Sequence, residues 1–321
     1  MVLKPSVNVS LEYLQIVLEA LIETGVGTSI KQLTVPMISP KLIPIPPREE
    51  QNRIVMKVKK LLGKIKEYDI KYSDINYLNE LFPINLERSI LQYALQGKLV
   101  KQDLNDEPAL HLKEKIQLEK EQLIKDKVIK KDIPFLPISE EEIPFDIPST
   151  WEWVRLGEIC SINPRNSYDD EMDVGFIPMK LIEDGIVNKH TNEIRKWKEI
   201  KKGYTHFQEE DIVVAKITPC FENQKSAVIK NLPNGIGAGT TELFVFRPYS
   251  RGIEREYLLY IFKSSDFING GKKSFTGTAG QQRVSKNYIE NYLIPLPPHK
   301  EQTRIVQAIK DMMGLKERLQ S

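Results

Sequence analysis

One stretch near the end of the sequence combines basic, amide and hydroxyl side chains with glycine and contains no acid. This stretch, residues 270–286, reads GGKKSFTGTAGQQRVSK. Arginine pairs with guanine and glutamine with adenine through two hydrogen bonds at the major-groove edge, whereas lysines and hydroxyls hold phosphate. Glycines let a backbone approach its ligand closely. The stretch therefore predicts DNA contacts by Lys272, Lys273, Thr276, Thr278, Gln281, Gln282, Arg283 and Lys286, with Arg283 or a neighbouring glutamine reading a base. The alternative is a mobile basic loop that has no ligand.

Two further polar stretches could bind DNA. The first, KITPCFENQKSAVIK, begins at Lys216 and covers the end of a predicted strand and the following loop. Loops on a rigid sheet commonly carry binding groups. Its candidates are Lys216, Thr218, Asn223, Gln224 and Lys225, and the alternative is an ordinary polar hairpin. The second, RKWKEIKKG at residues 195–203, could grip the DNA backbone beside Trp197. It is equally consistent with an exposed basic surface carrying one packed tryptophan.

Three patterns that could indicate catalysis are incomplete. Adenine methylation needs an Asn-Pro-Pro-aromatic motif, and NPRN at Asn163 has only its first two letters and is typical of a turn. GIGAG at Gly235 precedes a strand-like run, whereas the dinucleotide fingerprint opens a helix. Asp211 and Lys216 flank IVVA, but such charges bracket many strands and indicate solvated turns. We therefore expect a chain without catalytic activity of its own.

The composition excludes other classes of function. The four histidines, His111, His190, His206 and His299, have no metal-ligand spacing, and two cysteines cannot build a disulfide framework. No apolar run approaches the about 20 residues of a membrane span, and no secretory signal begins the chain. We expect a cytoplasmic protein. The net charge of +2 decides little, because nucleic-acid binding depends on local charge.

A proline-rich sequence motif occurs twice, and each copy precedes a predicted helix. LIPIPPREEQNRIV begins at Leu42 and LIPLPPHKEQTRIV begins at Leu293, with ten identities in fourteen positions. Closely spaced prolines favour extended backbone, and proline followed by acids favours a helix start. Each copy therefore predicts an extended segment that turns into a helix. Helical patterns also cover residues 10–24, where Gly25 is the predicted stop, and residues 109–131.

The helix after the first copy has a coiled-coil pattern. It is predicted over about 49–80, interrupted at Pro83, and followed by a shorter helix that ends at Gly97. The seam is Ile54, Val58, Leu61, Ile65, Tyr68, Tyr72, Ile75 and Phe82, which step by three and four with one skipped position.

The second half of the chain has a different sequence pattern. Residues 133–148 carry four prolines without periodicity and predict a linker. Short apolar runs follow and predict strands, then a helix near 254–268. We therefore divide the chain into residues 1–46, a helical spacer at 47–132, a linker at 133–150, an α/β domain at 151–298 and a final helix at 299–321.

Several of these motifs resemble one family in the same order. The central ERSILQYALQGKLVKQDLNDEPA, the entry IPSTWEWVRLGEIC and the exit IPLPPHKEQTRIV all resemble type I restriction–modification specificity subunits. TPCFENQKSAV, GIGAGTTELFVFRP and TGTAGQQRVSKNYIENYLIPLPP are similar to one class of their target recognition domains. The resemblance covers essentially the whole chain.

The resemblance implies a function and partners. Such a subunit is not an enzyme by itself. It reads double-stranded DNA through two α/β domains of mixed sheet, which are held apart by an antiparallel pair of long helices. It binds no cofactor, while its modification subunits use S-adenosylmethionine and its restriction subunits use ATP and magnesium.

This chain departs from the family pattern in two ways. Residues 1–46 resemble only the last third of a first recognition domain, and the final helix is short. We therefore expect one complete reader and a homodimer formed through the spacer. A helical scaffold or decoy that binds modification subunits without reading DNA is the alternative, and an enzyme with an unfamiliar site is a third possibility.

Overall fold

The computed structural model describes residues 7–21, 35–131, 133–278 and 280–320 of the 321-residue chain. Contacts divide it into two compact units, Met1–Phe82 and Pro83–Ser321, which we describe separately. The predicted helix stop at Gly25 lies outside the described residues. The helices are α1 Leu11–Leu21, α2 Val35–Ile38, α3 Arg48–Leu95, α4 Ala109–Lys125, α5 Leu156–Ile159, α6 Trp197–Ile200, α7 Arg255–Phe262, α8 Ser265–Lys273, α9 Lys286–Asn291 and α10 His299–Gln320. No helix in these ranges is both long and apolar enough to cross a membrane.

In the first unit, side chains of α1 and α3 form hydrogen bonds with the first copy of the proline-rich motif. Tyr13 of α1 is buried, and its hydroxyl donates to the carbonyl of Pro44 at 2.8 Å. The buried Gln51 amide donates to the carbonyls of Asn8 and Pro46 and accepts from the backbone N–H of Ser10. The chain enters α3 at Arg48, as the repeat predicted.

Pro83 lies inside α3 and does not interrupt it, so the predicted break is wrong. A proline ring removes one backbone donor, which leaves the carbonyl four residues earlier without its usual partner. That residue, Asn79, is exposed, and water can therefore bond the free carbonyl. The helix ends at Leu95, close to the predicted stop. Gly97 follows at φ +67°, where a Cβ would meet the ring of Pro148 at 2.5 Å.

The second unit contains three sheets. Its strands are β1 Glu152–Arg155, β2 Cys160–Ile162, β3 Asp173–Ile177, β4 Glu193–Lys196, β5 Thr205–Gln208, β6 Ile212–Ala215, β7 Ser226–Val228, β8 Ile236–Gly239, β9 Leu243–Pro248 and β10 Leu293–Leu296. One sheet has the order β2-β9-β6-β7 and is antiparallel. Another has the order β4-β3-β8-β5 and is mixed, because β3 and β8 are parallel. The third is the antiparallel pair β1 and β10. The predicted α/β class with mixed sheet and long helices is confirmed.

Helices cover one face of the antiparallel sheet. The main core joins Val214 and Phe246 of this sheet to Phe262 of α7 and to Ile305 and Ile309 of α10. A second core lies around Val213, Val245, Phe207 and Ile177. Since alternate residues of one strand enter different cores, β6 is apolar at every position and β9 at every position except Arg247.

Three predicted helical or loop segments differ in detail. The single helix expected near 254–268 is two, because Ser264 caps α8 by accepting a hydrogen bond from the N–H of Phe267. Consequently the predicted loop 270–286 begins inside a helix. Helix α4 ends at Lys125, short of residue 131, and buries one face through Ala109, Leu112 and Ile116. The linker has no strand or α-helix among its described residues, but Phe145 packs edge-to-face on Trp153.

Candidate DNA interface

The fold brings two of the three predicted DNA-binding segments side by side. The backbone N–H of Thr218 donates to the carbonyl of Gln282, and the N–H of Val284 donates to the carbonyl of Lys216, both at 2.9 Å. The N–H of Lys216 in turn donates to the carbonyl of Glu242 in the β8–β9 turn. Three loops from distant parts of the sequence therefore form one continuous surface beyond the ends of β6 and β9. We call it the loop edge, comprising residues 216–225, 240–242, 272–278 and 280–286.

An aromatic cluster fixes the base of the loop edge. Phe221 is buried and packs against Phe267 and Phe275, with ring centroids 5.7 and 5.8 Å apart. Gly271 of α8 lies so close that a Cβ there would stand 2.4 Å from the Phe221 ring. Only glycine allows this approach, so one glycine predicted to face DNA serves packing.

Two lysines hold the 216–225 segment from inside the domain. Lys263 is buried, and its ammonium donates to the carbonyls of Gly185 and Gln224 at 2.6 and 3.0 Å. Burial lowers the pKa of Lys263 to about 7. Lys225 donates to the carbonyl of Ile182 at 2.7 Å.

The predicted contacts in this segment divide by exposure. Gln224 has φ +60°, and its amide donates to the carbonyl of Lys263. The amide of Gln224 and the ammonium of Lys225 are thus engaged within the protein. The Thr218 hydroxyl is buried and has no hydrogen-bond partner in the described chain, whereas Asn223 is exposed. Lys216 is half-buried, with its ammonium 5.7 Å from the Phe244 ring centroid.

The 270–286 segment is free of acids in sequence but not in space. Lys272 pairs with Glu222 at 2.8 Å and Lys286 with Glu290 at 2.7 Å, and both lysines are exposed. Neighbouring elements therefore supply carboxylates that the local sequence does not contain. The remaining predicted contacts are exposed, apart from the half-buried Gln282 and Arg283: Lys273, Thr276, Thr278 and Gln281.

Arg283 is held by hydrogen bonds at all three of its side-chain nitrogens. Its Nε and Nη2 donate to the two carboxylate oxygens of Glu242, each at 2.8 Å. Its Nη1 donates to the carbonyl of Gln281 at 3.1 Å. The hydrogen bonds lower the pKa of the Glu242 carboxyl and raise that of Arg283, so both groups stay charged near neutral pH.

Sequence reasoning missed several residues at or beside this surface. A cavity of about 250 Å³ adjoins Lys216 and is lined by Arg165, Tyr204, His206 and Thr241 among others. Arg165 is exposed, and its guanidinium donates to the carbonyl of Tyr204 at 3.0 Å. The signal for Arg165 was its place in the NPRN turn, and that for Thr241 and Glu242 was a polar TTE run between two strands.

The third predicted segment, residues 195–203, begins at the end of β4 in the mixed sheet and continues through α6. Trp197 is buried against Tyr168 and His206. Lys198 pairs with Glu171 and Lys201 with Asp170. This arrangement matches the alternative of a basic surface around one packed tryptophan.

The three candidate catalytic positions have structural contacts. Asn163 has φ +54°, and its side chain accepts a hydrogen bond from the N–H of Val245. Asp211 is buried and pairs with Arg247 at 2.8 Å. Gly235 lies in a short turn before β8. Across the described ranges, no three His, Cys, Asp or Glu side chains are grouped to hold a metal.

Comparison with known proteins identifies the family. Residues 148–320 match the type I restriction modification DNA specificity domain, and this chain belongs to that family. It is 49% identical over 259 residues to the type I restriction enzyme EcoAI specificity subunit of Escherichia coli and 46% identical to the EcoEI specificity subunit. These matches cover 80% of this chain but only 42% and 41% of the relatives, so the match spans about two-fifths of their length.

Solved structures are also similar. The HsdS subunit from Thermoanaerobacter tengcongensis aligns over 98% of this chain and 66% of its own, with 21% identity and a TM-score of 0.40. The S subunit from M. genitalium aligns over 97% of this chain and 68% of its own, with 12% identity and a TM-score of 0.38.

Proposed function

We propose that this chain is a DNA-recognition subunit of a type I restriction–modification complex, and that residues 151–298 read one DNA half-site. The observation that carries the proposal is the junction of the two predicted segments at the loop edge, within a domain of the specificity family. A rigid sheet that presents several loops at one edge suits recognition of a defined ligand surface.

The side chains at the loop edge can divide the work. Exposed lysines such as Lys272, Lys273 and Lys286 reach phosphates and give sequence-independent affinity. Arg283 and Gln281 provide the fork and amide groups that match base edges. The acids beside Lys272 and Lys286 are exchangeable partners, because exposed ion pairs contribute only about 0–1 kcal/mol.

Chemistry would be supplied by partners. In this proposal the chain binds no cofactor; modification subunits bring S-adenosylmethionine, and restriction subunits bring ATP and magnesium. Docking is assigned to residues 83–131 and the neighbouring helices. Large apolar side chains are exposed there, including Leu104 at 90% and Leu118 at 66%. Exposed apolar groups of this kind are typical of interfaces.

We further propose that two copies associate through α3. Many seam residues of this helix are exposed: Leu61, Ile65, Tyr68, Tyr72, Ile75 and Phe82. A two-fold pair is the commonest way to bury such a stripe, and its periodicity suits a coiled coil. Two identical readers would then recognise an interrupted palindrome.

The dimer has a direct test. Light scattering of the full chain should give twice the chain mass, and Leu61→Asp should lower it. Leu104→Asp, the same change at a more exposed leucine outside the seam, should leave the mass unchanged. A wild-type monomer at micromolar concentration would contradict the dimer.

The function is tested by methylation in trans. The chain is expressed with a type I modification subunit, and methylated bases are mapped across the host genome. We expect methylation at one motif with two identical halves, and none when either protein is omitted. Methyl transfer by the purified chain alone would overturn the assignment of chemistry to partners. Binding to the modification subunit without any motif would favour the decoy instead.

A further inference from the structure

The pair formed by Glu242 and Arg283 differs from the other ion pairs of the loop edge. Lys272 and Lys286 each meet a carboxylate through one ammonium, and a lysine side chain can rotate away from an exposed partner. Arg283 instead makes a two-point contact, in which Nε and Nη2 meet opposite oxygens of one carboxylate. Such forked pairs fix direction as well as distance.

Both backbones of the pair are also fixed. Arg283 and Thr276 exchange N–H to carbonyl hydrogen bonds at 2.9 and 3.0 Å. The Glu242 carbonyl accepts from Lys216, and its N–H donates to the Thr240 hydroxyl at 3.2 Å. The position of the guanidinium is therefore fixed by the Arg283 backbone, by the contact of Nε and Nη2 with Glu242, and by the hydrogen bond from Nη1. The pair joins the β8–β9 turn to the 274–286 loop.

The pair leaves a defined set of donors unused. An arginine has five N–H groups. Glu242 takes two and the Gln281 carbonyl takes one, so one N–H remains on each terminal nitrogen. The Arg283 side chain is 41% exposed, compared with 24% for Glu242, so the arginine is the more accessible partner.

Charge decides which part of DNA suits these two donors. The Glu242 carboxylate neutralises Arg283 and repels a phosphate that approaches the pair. A guanine edge carries no net charge and offers two acceptors, O6 and N7, which arginine binds through two N–H groups. The pair therefore suits a base better than the DNA backbone.

We propose that Glu242 is a positioning residue that presents Arg283 to one guanine of the half-site. This inference rests on the proposed function, because it assumes that the loop edge faces DNA. Glu242 makes no base contact itself. It fixes the rotamer of Arg283, prevents that side chain from moving to a phosphate and thereby sets specificity at one base pair.

The test is selection of bound duplexes from a random library by the full chain, followed by sequencing. The variants are Glu242→Gln, Arg283→Ala, the double variant and Arg283→Lys. Glu183→Gln is the matched control, since it removes another surface carboxylate that pairs with a lysine, Lys189. Thermal unfolding of each variant is measured in parallel to confirm that it folds.

We expect Glu242→Gln to reduce the preference for guanine at one motif position by roughly 5- to 150-fold. Preferences at other positions should remain, and binding to random DNA should stay equal or rise. Arg283→Ala and the double variant should lose the same position and no other. Arg283→Lys keeps the charge but not the fork, so it should also lose that guanine. Glu183→Gln should match the wild type.

Two results would overturn the inference in distinguishable ways. If the wild type selects a motif and Glu242→Gln keeps every preference, or loses affinity uniformly at all positions, Glu242 does not position a base contact. If the wild type selects no motif, the proposed DNA recognition fails and this inference fails with it.

Discussion

The two copies of the proline-rich motif form the same polar contacts in different surroundings. In the second copy, the Gln302 amide donates to the carbonyl of Pro297, and its oxygen accepts from the N–H of Glu254. The hydroxyl of Tyr257 donates to the carbonyl of Pro295 at 2.7 Å. In the first copy, Gln51 and Tyr13 make the matching contacts to Pro46 and Pro44. Prolines offer carbonyls but no N–H, so a glutamine amide and a tyrosine hydroxyl satisfy them.

The helices that follow the two copies differ in burial. Ile305 and Ile309 of α10 lie in the main core, whereas the corresponding Ile54 and Val58 of α3 are half-buried. Further along, Leu61 and Ile65 are exposed. The local contacts thus form with or without a surrounding domain, while burial of the helix requires one. This difference is why we assign the α3 stripe to a partner.

The largest expected effect comes from truncating the buried isoleucine. Ile305→Ala should destabilise the Pro83–Ser321 unit by about 2–5 kcal/mol, because it leaves a cavity in a closed core. Ile54→Ala, at the matching position, should lower the free energy of unfolding by less. It should leave the denaturant transition of the Pro83–Ser321 unit unchanged. Equal shifts of that transition for the two variants would remove the contrast between the copies.

The glutamines should show an intermediate effect. Gln302→Ala leaves buried backbone groups unpaired and should cost about 1–3 kcal/mol in the main unfolding transition. Gln51→Ala breaks the same contacts in the first unit. Its effect should be confined to faster amide exchange at Ser10, as measured by NMR or mass spectrometry. Loss of stability across the whole chain from Gln51→Ala would show that the first unit is not separate.

The tyrosine hydroxyls should show the smallest effect. Tyr257→Phe removes one buried hydrogen bond and should cost about 0.5–1.5 kcal/mol, measured by urea unfolding. Tyr13→Phe should leave that transition within about 0.5 kcal/mol of wild type, in line with changes outside its cooperative unit. A larger shift for Tyr13→Phe than for Tyr257→Phe would reverse the comparison.

Local chemistry was predictable from the sequence, and contacts between distant segments were not. The proline and acid patterns predicted the starts of α3 and α10, and the run at Ile212–Ala215 predicted β6. The rule that proline interrupts a helix was misleading at Pro83, because solvent can bond the carbonyl that its ring leaves free. Glu242 lies 41 residues from Arg283 and no pattern joins the two. The adjacency of the binding segments was likewise invisible, because it depends on strand order.

The most direct test of DNA recognition by the loop edge is a salt titration on two duplexes. One carries the selected half-site, the other a scrambled sequence, and affinity is measured for the wild type, Arg283→Ala and Lys272→Ala. The wild type should prefer the selected duplex. Arg283→Ala should lose about 1–3 kcal/mol on that duplex alone, and Lys272→Ala should weaken both equally and lower the salt slope by about one. Equal wild-type affinity for the two duplexes would contradict sequence-specific DNA recognition by this chain.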